Sequence, residues 1–288
     1  MPDLEHDSLL RFVFDHGAVR GARIQLHASL QTLLSHQMIG NTARQLLGES
    51  LCASVLLAST IKLEGRLALQ AQGDGALNLL AAECTHHGDI RGTIRLDEQA
   101  AGTLTRLSAL LGNGHLAVTL LPDQGDSYQG IVPLDSGRLQ DCLRTYFDQS
   151  EQLSTALWLA CDGERAGGLL LQALPGHEDT HQWEHLCTLA NTLRDEELLG
   201  LPHSTLLHRL FHQDPYTTFD ATPVQFQCTC NAERSRQALA MLGRDDLYRL
   251  LAEQAGHVSV DCQFCGQQYH FDEQALLPLL GETSTQLH

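Results

Sequence analysis

From Leu9 to about Pro175, short segments of alternating apolar and polar residues are interleaved with longer apolar stretches of helical period. This pattern predicts an α+β domain built on antiparallel pairs. Residues 10–14 and 22–26 flank Asp15-His16-Gly17 and read as a hairpin. A helix is expected near 29–37, then a longer buried one over 41–60, where Leu46, Leu47, Leu51, Val55 and Leu56 recur on one face. Residues 66–72 and 76–82 read as a second hairpin around Gln72-Gly73-Asp74-Gly75, whose glycines are expected to take positive φ. Further strands are expected at 116–121, 128–133, 156–161 and 169–173, with a helix over 138–148.

Over 176–227 the character changes to 2 basic and 8 acidic residues, six histidines and two amphipathic helical patterns. One places Trp183, Leu186, Leu189 or Ala190, and Leu193 on a face; the other places Leu206, Leu207, Leu210 and Phe211 likewise. Neither buries its apolar face alone, so each depends on docking against something else, which predicts a metastable helical linker. The remaining 61 residues from Cys228 onward are too few to rely on an apolar core. They predict two short helices, 232–242 capped by Asn231 and closed at Gly243, and 246–255 closed at Gly256. Alternating segments at 258–260 and 269–271 then surround a cysteine turn. The expected organisation is a core over 1–175, a linker over 176–227 and a small terminal domain over 228–288.

Composition narrows the function. With 43% hydrophobic and 18% charged residues among 288, the chain can bury a globular core. Its 35 acidic against 18 basic side chains give a formal charge of −17, and Lys62 is the one lysine. Such a balance repels phosphate backbones, so nucleic acid is not an expected partner. No stretch approaches the roughly 18 apolar residues of a membrane span. Met1-Pro2-Asp3-Leu4-Glu5 lacks the basic and apolar regions of a secretion signal. A cytoplasmic protein without a membrane partner is expected, and nine cysteines there stay reduced as packing residues, metal ligands or redox centres.

Four of the nine stand apart. Cys228-Thr229-Cys230 is followed, after 31 residues, by Cys262-Gln263-Phe264-Cys265. Two close pairs of thiolates brought together by a helical insert suit tetrahedral Zn(2+) and leave no open coordination position for catalysis. Such a centre serves either as a constitutive zinc ribbon, an interaction module held together by its metal, or as a thiol switch. The switch has a physical basis: bound thiolates are deprotonated nucleophiles, an adjacent thiol traps a sulfenic acid as a disulfide, and oxidised sulfur does not hold zinc. Metal binding and folding are one free energy in such modules, so oxidation would unfold the unit. Exposed apolar faces in the adjoining linker would then bind other unfolded chains. The other cysteines, Cys52, Cys84, Cys142, Cys161 and Cys187, sit in apolar surroundings and read as small buried hydrophobes.

Other motifs carry less. His181, Glu184 and His185 fit the H-x-x-E-H pattern of a zinc metallohydrolase, but no third ligand follows and Trp183 with Leu186 explains the helix as amphipathic. His177, His181, His185, His208 and His212 read as a solvated face. Gly112-Asn113-Gly114-His115-Leu116-Ala117 matches a loose dinucleotide fingerprint, yet a strand pattern follows where a helix should begin, so it reads as a turn and no bound nucleotide is expected. Neither a P-loop nor a G-x-S-x-G elbow occurs.

Phe226-Gln227-Cys228-Thr229-Cys230-Asn231-Ala232-Glu233-Arg234, Leu242-Gly243, Cys262-Gln263-Phe264-Cys265 and Tyr269-His270-Phe271 together resemble the heat shock protein 33 family. The N-terminal half agrees in Arg11-Phe12-Val13-Phe14, Val19-Arg20-Gly21, Leu47-Gly48-Glu49, Leu56-Leu57-Ala58, Lys62-Leu63-Glu64-Gly65, Gln72-Gly73-Asp74-Gly75 and Arg91-Gly92. Asn231 stands where the family usually has serine, and both cap a helix. The resemblance implies a redox-regulated holdase chaperone rather than an enzyme. It implies an α+β core, a helical linker lying over it, and a C-terminal module whose Cys228, Cys230, Cys262 and Cys265 hold one Zn(2+) per chain in an inactive reduced form. It further implies that oxidants under unfolding conditions join Cys228 with Cys230 and Cys262 with Cys265, release zinc and loosen the linker. Unfolded client proteins would then bind without ATP, the oxidised form would favour a homodimer, and clients would pass to ATP-dependent chaperones.

Overall fold

The computed structural model describes residues 7–276 apart from 16, 63, 105, 135, 136, 176–179 and 255. The chain separates into two compact units, Met1–Gln227 and Cys228–His288.

In the first unit, β1 (Ser8–Phe14) and β2 (Val19–Leu26) form the expected hairpin. They are followed by α1 (Ala28–Ser35) and the long α2 (Asn41–Ala58). A meander of β3 (Gly65–Gln72), β4 (Leu77–Thr85) and β5 (Asp89–Leu96) leads through the short helices α3 (Glu98–Ala101) and α4 (Leu107–Leu111) to β6 (His115–Pro122) and β7 (Tyr128–Val132). Helix α5 (Leu139–Tyr146) runs into a π-helical turn, Phe147–Glu151, and a last hairpin pairs β8 (Thr155–Cys161) with β9 (Ala166–Ala173). Beyond it come α6 (Thr180–Ala190), α7 (Asp195–Gly200) and α8 (His203–Phe211), then the short strands β10 (Tyr216–Thr218), β11 (Thr222–Pro223) and β12 (Gln225–Phe226).

Among the described residues of the first unit the strands form two six-stranded sheets. One has the order β10-β1-β2-β9-β8 with β11 also on β1; the other is β12-β5-β4-β3-β6-β7, antiparallel except where β12 joins β5. Helix α2 lies between them, packing on β4 and β5 of one sheet and on β8 and β9 of the other. Its Leu47, Leu51, Leu56 and Leu57 are fully buried. The close approach needs Gly48, where a Cβ would stand 2.5 Å from Cys161 Sγ and 3.2 Å from Ala166 Cβ. The outer face of the first sheet carries Leu10, Phe12, Phe14, Leu169 and Leu171, and α6, α7 and α8 bury it with Leu186, Ala190, Leu198, Leu206, Leu207, Leu210 and Phe211. No helix among the described residues is long and apolar enough to cross a membrane.

One local expectation is corrected, and three features go beyond the sequence pattern. Gly73 and Gly75 do not take positive φ; a Cβ on either would collide with a carbonyl, Leu111 O and Leu110 O respectively, so glycine is required for space. Strand β5 has no counterpart in the alternation pattern because Gly92 interrupts it. Helix α7, six residues long, also escaped the periodicity. Finally, 176–227 is not purely helical: its last residues supply strands to both sheets.

Candidate metal centre

The second unit contains α9 (Ala232–Ala240), α10 (Arg244–Glu253) and the antiparallel pair β13 (His257–Asp261) and β14 (Gln268–Asp272). Its apolar cluster holds six buried side chains among the described residues: Leu239, Leu247, Leu251, Val258, Phe271 and Leu276. So small a core leaves the unit dependent on a covalent or metal staple.

Local structure brings the cysteines together. Asn231 caps α9, its Oδ1 accepting from Arg234 N at 2.8 Å, and Arg234 Nη1 reaches back to Thr229 O at 2.8 Å, closing the Cys228–Cys230 loop onto the helix. Between β13 and β14, Gly266 N donates to Cys262 O at 2.8 Å and Cys262 N to Gln267 O at 2.9 Å. Gly266 makes this knuckle possible with φ of 68°. The four Sγ atoms lie within 4.8 Å of one another, with Cys228 to Cys262 at 3.6 Å and Cys230 to Cys265 at 3.4 Å. A zinc–sulfur bond of about 2.3 Å in a tetrahedron sets ligand sulfurs about 3.8 Å apart, so these residues fit a single zinc ion. They are the one group of three or more potential metal ligands among the described residues.

Tyr269 on β14 completes the surroundings, its hydroxyl donating to Cys230 Sγ at 3.1 Å. Burial raises the Cys228 and Cys265 thiols. At Cys230 burial also raises the thiol, but hydrogen bonds from Tyr269 and the neighbouring thiols outweigh it and the net shift is downward. The same bond pushes the Tyr269 hydroxyl up to about 12. The motif around Tyr269 was visible in the sequence; its contact with a ligand sulfur was not.

The other candidates fall elsewhere. Cys52, Cys84, Cys142, Cys161 and Cys187 are buried as expected, and burial pushes the Cys84 and Cys161 thiols up to about 12 and Cys187 to about 11. His181, Glu184 and His185 share α6 but assemble no metal site among the described residues; His185 Nε2 instead meets Asp214 Oδ2 at 3.1 Å. His181, His185, His208 and His212 are exposed, while His177 lies outside the described residues. Residues 115–122 form β6, so the glycine pattern before it is a turn.

A second feature had no signal in the sequence. Arg23 on β2 is 0% exposed and donates through Nη2 to Leu198 O at 3.3 Å and to Leu201 O. Gln25 Nε2 donates to Leu201 O as well, at 3.0 Å. Arg23 Nη1 lies 3.3 Å from His203 Nδ1, and His203 Nε2 lies 3.0 Å from Ser8 Oγ. These polar contacts fasten the turn between α7 and α8 to the sheet. Beside them Phe211 stacks edge-on against Phe14, ring centres 5.1 Å apart.

Comparison with known proteins places the whole chain. A family profile described as Hsp33 protein matches residues 7–272. A 33 kDa chaperonin of Ectopseudomonas mendocina is 46% identical over 282 residues, 96% of each chain. One from Pseudomonas aeruginosa strain PAO1 is 42% identical over 286 residues, 97% of this chain and 96% of that one. Among solved structures, the 33 kDa chaperonin (heat shock protein 33 homolog) of Thermotoga maritima superposes with a TM-score of 0.80 at 22% identity, covering 96% of this chain and 98% of its own.

Proposed function

The chain belongs to the Hsp33 family of chaperones, and from that premise we propose that it is a cytoplasmic, ATP-independent holdase switched on by oxidation. The observation that carries this reading is the cluster of four sulfurs within 4.8 Å of one another in a unit with six clustered buried apolar side chains among its described residues. In the reduced state Cys228, Cys230, Cys262 and Cys265 hold one Zn(2+), which when bound supplies a positive centre that keeps all four as thiolates. The unit then folds around that staple.

Oxidation acts on the sulfurs. One thiolate attacks peroxide to give a sulfenic acid, and its partner thiolate displaces hydroxide from that sulfur to close a disulfide, so each pair consumes one peroxide and two protons from solvent and releases two waters. Family resemblance supports Cys228 joining Cys230 and Cys262 joining Cys265. Sulfur contacts of 3.6 and 3.4 Å also run between the pairs, from Cys228 to Cys262 and from Cys230 to Cys265. Either way no thiolates remain as ligands, zinc leaves and the second unit loses its staple. The linker leads directly into Cys228, and its α6–α8 rest on the first sheet through one apolar face and a few polar contacts. Its release would present both that face and the sheet beneath to unfolded client proteins. Homodimer formation by the oxidised form and delivery of clients to ATP-dependent chaperones complete the proposal.

The test is zinc and thiol stoichiometry. Reduced protein should contain one zinc per chain; peroxide under mildly unfolding conditions should free it as four thiols disappear. Peptide mapping should then find the two proposed disulfides. Retention of zinc after thiol loss would contradict the reading, and bridges between the pairs would contradict the proposed pairing.

A further inference from the structure

A cavity of about 400 Å³ opens beside the C-terminal end of α2 in the first unit. Val13, Ala22, Leu170, Leu174 and Phe219 line it together with Arg11 and Arg20, and no Asp or Glu among the described residues does. The strand register sets Arg11 opposite Ala22 and Val13 opposite Arg20, making the two arginines diagonal neighbours on one face of the hairpin. At that separation long side chains of like charge repel.

Neither arginine has a counter-ion among the described residues. The Arg11 guanidinium stands 5.9 Å over the ring of Phe219, itself 51% exposed, and makes no hydrogen bond among the described residues. Arg20 donates only to neutral acceptors: Gln172 Oε1, from Nε at 3.0 Å and Nη2 at 2.5 Å, and Thr60 O at 2.7 Å. In a chain with 35 acidic side chains against 18 basic ones, none of the acidic side chains among the described residues pairs with either arginine. Burial of the Arg20 guanidinium opposes its charge and adds to the cost of the arrangement.

A cavity of this size with apolar walls and a few convergent polar groups has the character of a small-molecule site. We propose that it binds a small amphipathic carboxylate, with the anionic head between Arg11 and Arg20 and the hydrocarbon body against Val13, Ala22, Leu170, Leu174 and Phe219. An inorganic anion would leave the apolar walls uncovered, and a neutral alcohol would leave both cations unpaired. The site shares no residue with the four-cysteine centre and does not rest on the redox reading.

The test is isothermal titration of the reduced, zinc-loaded full chain with decanoate, decanol and inorganic phosphate. Decanoate is expected to bind at one site per chain, with decanol and phosphate at least about tenfold weaker. Arg11→Gln, at an exposed position, should weaken decanoate about tenfold, and Phe219→Ser should weaken it several-fold. Absence of saturable decanoate binding would overturn the proposal. So would decanol binding as tightly as decanoate, or unchanged affinity in Arg11→Gln.

Discussion

Replacing Arg23 by Met tests how the linker is held. Met keeps an unbranched apolar stem in the buried space and removes the guanidinium that serves Leu198 O and Leu201 O. Gln25 still serves Leu201 O, so the main loss falls on Leu198 O and on the contact with His203. A hydrogen bond from a charged donor contributes about 1.5–3 kcal/mol, and a buried acceptor left unserved costs about 1–3 kcal/mol. A net loss of roughly 3 kcal/mol raises the undocked fraction of α7 and α8 about a hundredfold. The assay is amide hydrogen exchange over 195–211 in the reduced, zinc-loaded protein, read beside suppression of client aggregation. Exchange there is expected to accelerate about a hundredfold while α2 stays protected and zinc stays bound, and the reduced form should gain activity. Unchanged exchange over 195–211 would refute the reasoning that Arg23 fastens the linker.

Three further outcomes are expected. Burial lifts Glu49 to about 7 against 4.5, with Arg138 lowering it and Asp195 raising it; the folded state therefore holds a proton that the unfolded state releases, and stability falls as pH rises through that window. Urea unfolding should show roughly 3 kcal/mol less stability at about pH 8 than at about pH 4.5 from this group, a difference missing in Glu49→Gln. Tyr269→Phe removes the hydrogen bond to Cys230 Sγ and should weaken zinc retention about tenfold in competition with a chelator. Asn231→Ala removes the cap on α9 and should lower the thermal stability of the zinc-loaded second unit by about 1 kcal/mol.

The parts of the molecule that could be read in advance are those in which local chemistry dictates structure. Asn231 and Gly243 bracket α9, alternation marks β1, β3 and β8, and the cysteine spacing announces a four-sulfur centre that the turn at Gly266 does assemble. What stayed hidden depends on contacts far away in the chain. Gly92 breaks the alternation of β5 at a point of close packing, where a Cβ would stand 2.9 Å from Leu47 Cδ1 on α2 and 3.0 Å from Ala81 O on β4. Arg23 defies the rule that charged residues are seldom fully buried, and its partners lie 175 to 180 positions along the chain. Strands β10, β11 and β12 have two or three residues each, too few to show a period. Arg11 and Arg20 looked like ordinary strand residues until the register placed them on one cavity.

The most direct test of the redox-holdase account is light scattering from a chemically unfolded client diluted into buffer with this chain, either reduced and zinc-loaded or oxidised by peroxide under mildly unfolding conditions. Suppression of scattering by the oxidised form alone, reversed on reduction, is the expected result. Suppression by neither form, or by the reduced form alone, would contradict the account.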